Sequence, residues 1–289
     1  MTSSAITRRL MLTGASAVLL PALPVFGAEA QTQLAAIERQ TGGRLGVAVH
    51  DTASGARLFY RPNERFAMCS TFKFLAVAAL LSGVDRGRYD LSRRIAYGPG
   101  DLLAYAPVTK AHVAQGGMTL AALCAAAIEW SDNTAANLML KQLGGPQAVT
   151  NYARGLRDPL TRLDRTEPTL NTAIPGDPRD TTSPAAMLAD MNRILTGDAL
   201  SRTSRQQLLE WMLACRTADN RIRAGLPKGW RVGSKTGSGA HGTRNEIAIV
   251  IPPGRKPILA AVYLTNTKNS GARETAHAAI GKLIAERFG

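Results

Sequence analysis

The order of strand-like and helix-like segments constrains this chain more than any other feature. Strand signals stand at its two ends, and helical signals fill the middle. Residues 45–50 alternate with the period of a half-buried strand, and 57–60 follow after a Ser54-Gly55 turn. Further strands are expected at 230–234, 246–251 and 258–265. Between these groups, 72–81 is a long Ala- and Leu-rich run without Gly or Pro, which predicts a buried helix stopping near Gly83. A second helix is expected over 119–130 with Thr119 as its cap, and a third over 132–143, opened by Asp132 and ended by Gly144-Gly145. Pro146 starts a short fourth. Residues 184–195 and 203–215 give two more, and 272–288 closes the chain as a helix. The simplest assembly is an α+β fold, an α/β sandwich. One antiparallel sheet, flanked by helices, is built from both chain ends, with an all-helical lobe inserted. Residues 31–65 with 216–289 then form the α/β lobe and 66–215 the helical lobe of a single domain, 31–289. The cleft between the lobes is the natural place for a small ligand.

Composition agrees with a globular enzyme-sized domain: 45% hydrophobic and 19% charged residues suffice for an ordinary core. No repeat of solenoid period is present. Three Cys are too few for a disulfide scaffold or a zinc cluster, and His50, His112, His241 and His277 show no metal-ligand spacing, so no metal is expected. No Gly-rich phosphate loop occurs, so no nucleotide cofactor is expected either. The net charge of +14 raises the question of a polyanionic partner. The basic clusters, Arg86-Gly87-Arg88 with Arg93-Arg94 and Arg221-Ile222-Arg223, are not interleaved with aromatics, which argues against nucleic acid.

Residues 1–30 read as an export leader. Arg8 and Arg9 precede an apolar run over 10–26 broken by Gly14, Pro21 and Pro24, and Ala28-Glu29-Ala30 offers small residues for cleavage before Gln31. The run is too short and Pro-broken for a membrane span. Thr7-Arg8-Arg9-Leu10-Met11-Leu12 also fits a twin-arginine signal, which leaves two export routes open. The expectation is an exported monomer, periplasmic or secreted, with no stable membrane insertion after cleavage.

Four short motifs carry chemistry. Ser70-Thr71-Phe72-Lys73 places a hydroxyl and an amine one helical turn apart where a loop enters the buried helix. A serine needs a neighbouring base to attack a carbonyl, and a buried lysine with a lowered pKa supplies one. The plainer reading is an N-cap serine beside an ordinary lysine. Ser131-Asp132-Asn133 lies between two helices, where capping alone also accounts for it. Lys235-Thr236-Gly237 puts a cation, a hydroxyl and a bare backbone on a strand, which suits a carboxylate ligand lying along an open edge. Glu167 and Asn171 sit four residues apart in a Pro-rich stretch, 157–184, too long to be a plain connection.

Taken in this order and at these separations, S-x-x-K, S-D-N, E-P-x-L-N and K-T-G resemble the class A serine β-lactamases. The similarity runs over essentially the whole mature chain and takes in Met68-Cys69, Tyr105-Ala106-Pro107-Val108 and residues 176–182. The resemblance implies that Ser70 attacks the lactam carbonyl, that the backbone N–H groups of Ser70 and Ser238 form the oxyanion hole, and that Lys73 shuttles protons. Ser131 would protonate the departing nitrogen, and Glu167 with Asn171 would position the deacylating water. Whether Lys73 or Glu167 is the acylation base stays open. Lys235, Thr236, Gly237 and Ser238 would receive the substrate's carboxylate with Arg221 in support, in place of the next-strand arginine of other members, whose position the sequence reading gives to Asn245. Tyr105 would wall the cleft and Asn133 would bind the acylamide. Arg165 and Asp180 would pin the loop, and the Glu167–Pro168 bond would be cis. The family's bridge partners of Cys124 and Cys69 fall on Val77 and Gly239, so all three cysteines are expected free. Ser238 with Gly239 resembles members that handle cephalosporins well.

Two other readings compete. A penicillin-binding D,D-peptidase shares three of the motifs but lacks the deacylating pair, which Glu167 and Asn171 supply here. A non-catalytic cationic envelope protein predicts a broken constellation, and none of these positions is broken.

Overall fold

The computed structural model describes Met1 and residues 28–289. The expected leader falls largely on residues 2–27, outside the described residues. Residues 28–30 of the expected leader lie within the described residues, at the start of a helix. Helix α1 spans Ala28–Thr41, and Ala30 and Leu34, one turn apart on one face, are both buried.

In chain order there follow strands β1 (Arg44–Asp51), β2 (Arg57–Tyr60) and β3 (Phe66–Ala67), then helix α2 (Phe72–Asp85) and strand β4 (Arg94–Ala96). Next come α3 (Pro107–His112), β5 (Gly117–Thr119), α4 (Leu120–Glu129), α5 (Asn133–Leu143) and α6 (Gln147–Gly155). Then come β6 (Thr181–Thr182), α7 (Pro184–Leu195) and α8 (Arg202–Leu213). The chain closes with β7 (Arg231–Gly239), β8 (Thr243–Ile251), β9 (Ile258–Thr265) and α9 (Ser270–Phe288).

The main sheet has the order β2-β1-β9-β8-β7, antiparallel throughout, so the two ends of the chain meet at the β1–β9 pair. Alternation along the strands sends residues to two cores. Ala48, Ile247, Leu259 and Tyr263 pack toward the helical lobe, and Val47, Ala248, Ala260 and Val262 pack toward α1 and α9. Because both faces of β9 are covered, every one of its residues is buried. This explains why the segment reads as a continuous apolar run rather than an alternating one.

Helix α2 is the axis of the helical lobe: Phe72 through Gly83 are all buried. Such a helix is apolar all round because it has no solvent face. It ends at Asp85, near Gly83 as expected, and the Gly83 carbonyl accepts from the Arg86 and Arg88 N–H groups that follow. A Cβ at Gly83 would lie 2.2 Å from the Tyr89 ring, so packing also requires a glycine there. The predicted caps are in place: Thr119 accepts from the Ala122 N–H, and Asp132 from that of Ala135. Both β7 and β8 are longer than expected, and their tight connection over 240–242 extends the edge strand through Lys235-Thr236-Gly237. Edge position matters for function, because among the described residues one side of β7 has no strand partner, and it faces the helical lobe.

Candidate active site

Ser70 lies in a single 3₁₀ turn, Cys69–Thr71, that leads into α2. Cys69 adopts a left-handed φ of 46°, which swings the chain sharply before the serine. Lys73 follows one turn later and is completely buried. Ser70 Oγ donates to Glu167 Oε1 at 3.1 Å. Lys73 Nζ lies 2.9 Å from the same carboxylate oxygen and donates to the Ser131 carbonyl and Asn133 Oδ1, both at 2.7 Å. Burial drives the Lys73 pKa down, opposed mainly by Glu167.

The Ser131-Asp132-Asn133 turn does more than cap. Ser131 has φ 59° and turns its hydroxyl toward two ammonium groups, Lys235 at 3.0 Å and Lys73 at 3.4 Å. Asp132, fully buried, caps α5 and also accepts from the Val108 and Thr109 N–H groups and the Thr109 hydroxyl. It thereby fixes the start of α3, and Tyr105 just before it, against the cleft.

Glu167 is held at both ends. Its backbone N–H donates to Asn137 Oδ1 and its carbonyl accepts from Asn137 Nδ2, at 2.9 and 2.8 Å. The Glu167–Pro168 bond is cis, as expected. Asn171 Nδ2 donates to Glu167 Oε2, while its Oδ1 is buried with no protein partner. Behind these residues, Asp180 is fully buried, pairs with Arg165 Nε at 2.5 Å, and accepts from the Asp164 and Arg165 N–H groups. The expected loop-pinning pair is therefore present.

On β7, Lys235 is fully buried, donates to Ser131 Oγ, and has its pKa lowered to about 7 by burial and then by Lys73. Gly237 permits close approach: a Cβ there would lie 2.8 Å from the Met68 carbonyl and 3.3 Å from the Ser70 nitrogen. Gly239 is similarly confined, since its Cβ would meet Cys69 Sγ and the Asn171 carbonyl, each at 2.6 Å. Arg221, 4% exposed, donates to Ser238 Oγ at 3.2 Å and to the Asn245 carbonyl, and burial lowers its pKa to about 10. The three cysteines are buried free thiols.

A cleft of about 370 Å³ collects these groups. It is lined by Ser70, Tyr105, Ser131, Asn133, Asn171, Arg221, Thr236, Gly237 and Ser238, together with Thr217. Lys73, Glu167 and Lys235 lie buried beneath it. All the residues singled out in sequence are thus brought together.

Four residues were missed. Thr217 lies 2.5 Å from the Thr236 hydroxyl. Asn137, one turn after Asn133 on α5, was readable as an amide on the cleft face. Asn245 donates to the Ala67 and Met68 carbonyls at 2.8 and 3.1 Å, which anchors the chain before Ser70. The fourth is Arg244. The β7–β8 register sets Arg244, not Asn245, opposite Ser238, and its guanidinium pairs with Glu274. The assignment of the next-strand arginine position to Asn245 is therefore corrected. The tight β7–β8 connection decides that register, and spacing alone did not show it.

The model of the beta-lactamase enzyme family matches residues 29–288. Beta-lactamase CTX-M-8 of Citrobacter amalonaticus is 46% identical over 282 residues, spanning 96% of this chain and 97% of that protein. Beta-lactamase Toho-1 of Escherichia coli is 45% identical over 292 aligned positions, spanning 100% of both. The solved class A beta-lactamase of the last common ancestor of Gram-negative bacteria superposes with a TM-score of 0.89 at 57% identity, over 91% of this chain and 100% of that one. The chain belongs to the beta-lactamase enzyme family. Within it, the fold and these relatives make it a class A serine β-lactamase, a hydrolase of the β-lactam amide bond.

Proposed function

We propose that Ser70 is the nucleophile and that Glu167 is the base in both halves of the reaction. The observation that carries this reading is the 3.1 Å hydrogen bond from Ser70 Oγ to a buried carboxylate. In acylation, the Ser70 proton passes to Glu167 as Oγ bonds to the lactam carbonyl carbon. The N–H groups of Ser70 and Ser238 receive the negative charge on the carbonyl oxygen, and losing one such donor costs about 3–4 kcal/mol. Gly237 supports this role by letting β7 come within van der Waals distance of the Ser70 turn. As the C–N bond breaks, Ser131 protonates the nitrogen and is resupplied from Lys73, which in turn takes the proton from Glu167 2.9 Å away and so leaves the carboxylate ionised for deacylation.

Deacylation uses the Glu167–Asn171 pair. A water donating to Glu167 and to the unpartnered Asn171 Oδ1 has its lone pair directed at the ester. A positioned base is worth about 10²–10⁴-fold. Lys235, Thr236 and Ser238, with Arg221 behind them, form the carboxylate subsite. Tyr105 and Asn133 receive the acylamide side.

The substrates are penicillins and cephalosporins, and their hydrolysis confers resistance to these drugs. The leader-like residues 1–30 support action outside the cytoplasm. Among the described residues no helix is long and apolar enough to cross a membrane. Steady-state hydrolysis of a penicillin and a chromogenic cephalosporin tests the reading. Sustained turnover of both is expected. A burst of one equivalent followed by silence contradicts it and indicates a penicillin-binding peptidase.

A further inference from the structure

Behind the loop that carries Glu167 lies a second cavity, of about 380 Å³, away from the catalytic cleft. Four arginines line it, Arg44, Arg65, Arg165 and Arg179, against a single lining carboxylate, Asp177. Three of them are neutralised within the protein: Arg44 by Glu64, Arg165 by Asp180 and Arg179 by Asp177. Arg65 is not. Both of its protein bonds are made by Nη1, to the Leu160 carbonyl at 3.0 Å and Thr181 Oγ1 at 2.9 Å. Nε and Nη2 are left as donors, and among the described residues Arg65 has no carboxylate partner.

The guanidiniums are held in place before any ligand arrives. Arg44 stacks on the Phe66 ring at 4.0 Å and also donates to the Arg65 carbonyl at 2.8 Å. Fixed planar guanidiniums around a concave space suit an oxyanion with several charged groups, because each fork takes two oxygens and little side-chain freedom is lost on binding.

We propose that this cavity is a binding site for a compact multivalent oxyanion, of the size of a short phosphate chain or a tricarboxylate. Arg44 opens β1 and Arg65 directly precedes β3, while Arg165 and Arg179 lie at the two ends of the Glu167 loop. A ligand between them bridges loop and sheet lobe without entering the cleft.

The test is calorimetric titration of the full mature enzyme with sodium tripolyphosphate at constant ionic strength, while cephalosporin hydrolysis is followed in the same solutions. One saturable site is expected, weakened by about tenfold or more in Arg65→Gln and in Arg179→Gln. Without the anion, kcat/KM of Arg65→Gln stays at the wild-type value. Arg179 is half exposed, so that variant keeps the test valid if Arg65→Gln misfolds. Citrate titrated alongside tells phosphate from carboxylate recognition, and dependence of either on both arginines supports the site. Absence of saturable binding overturns the proposal. So does binding that neither variant weakens, or binding that raises KM competitively, since that places the anion on Lys235 and Arg221 in the cleft.

Discussion

Two lysines share the floor of the cleft with one carboxylate, and burial acts on both in the same direction. For Lys235, desolvation and then the neighbouring Lys73 lower the pKa to about 7. A lowered pKa means that the ammonium, and its attraction for a substrate carboxylate, is lost as pH rises through that value in the free enzyme. A bound carboxylate favours the ammonium and moves the pKa back up. The basic limb of kcat/KM is therefore expected at lower pH than that of kcat. In Lys235→Arg it shifts upward by more than about one unit, because a guanidinium keeps its proton. Coincident limbs in the pH–rate profiles of the wild type contradict this.

At the scale of elements, the cleft depends on contacts that fix one segment against another. Gly237 brings β7 onto the Ser70 turn, and a Cβ there meets the Met68 backbone at 2.8 Å. In Gly237→Ala, strand or turn must shift, so kcat/KM is expected to fall by about tenfold or more, with little change in the urea midpoint. An unchanged kcat/KM shows that the close approach is not needed. Asp180 is the corresponding device in the loop. Asp180→Ala removes a buried ion pair and the carboxylate oxygen that accepts from two backbone N–H groups. It should cost about 2 kcal/mol of stability, and single-turnover kinetics should show slower deacylation than acylation.

The sequence carried much of this. The α2 run, the caps at Thr119 and Asp132 and the four motifs were readable because each rests on local chemistry: apolar continuity, a side-chain oxygen before a helix, fixed spacing. Residues whose role is set by distant contacts were not. Gly83 reads as a helix-end residue, but the Tyr89 ring packed against it shows only in the fold. Arg244 needs the β7–β8 register before it can be placed opposite Ser238.

Over the whole molecule, two cores lie on opposite faces of one sheet, and the helical lobe contains an acidic pair to which, among the described residues, no cation is bonded. Asp190 on α7 is completely buried. Its two oxygens and Asp158 Oδ2 receive no donor from other residues. Burial and then the Asp158 charge raise the Asp190 pKa to about 9, so Asp190 holds a proton at neutral pH. The folded state therefore holds a proton that the unfolded chain sheds near the ordinary value of 3.8. Stability attributable to this group declines as pH rises between those two values and is level above the upper one. Asp190→Asn keeps the shape and removes the proton uptake. It is expected to raise unfolding free energy at neutral pH by on the order of 2 kcal/mol and to flatten its pH dependence. Urea denaturation at a series of pH values checks this, and a destabilised variant contradicts it.

The central claim is that Ser70 forms an acyl-enzyme whose release depends on Glu167. Intact-protein mass spectrometry on Glu167→Ala and Ser70→Ala, each mixed with a penicillin, tests it most directly. A stable adduct of one substrate mass on Glu167→Ala and none on Ser70→Ala is the predicted result, while the wild type turns over and returns to its free mass. An adduct on Ser70→Ala, or free Glu167→Ala enzyme with continued hydrolysis, contradicts the account.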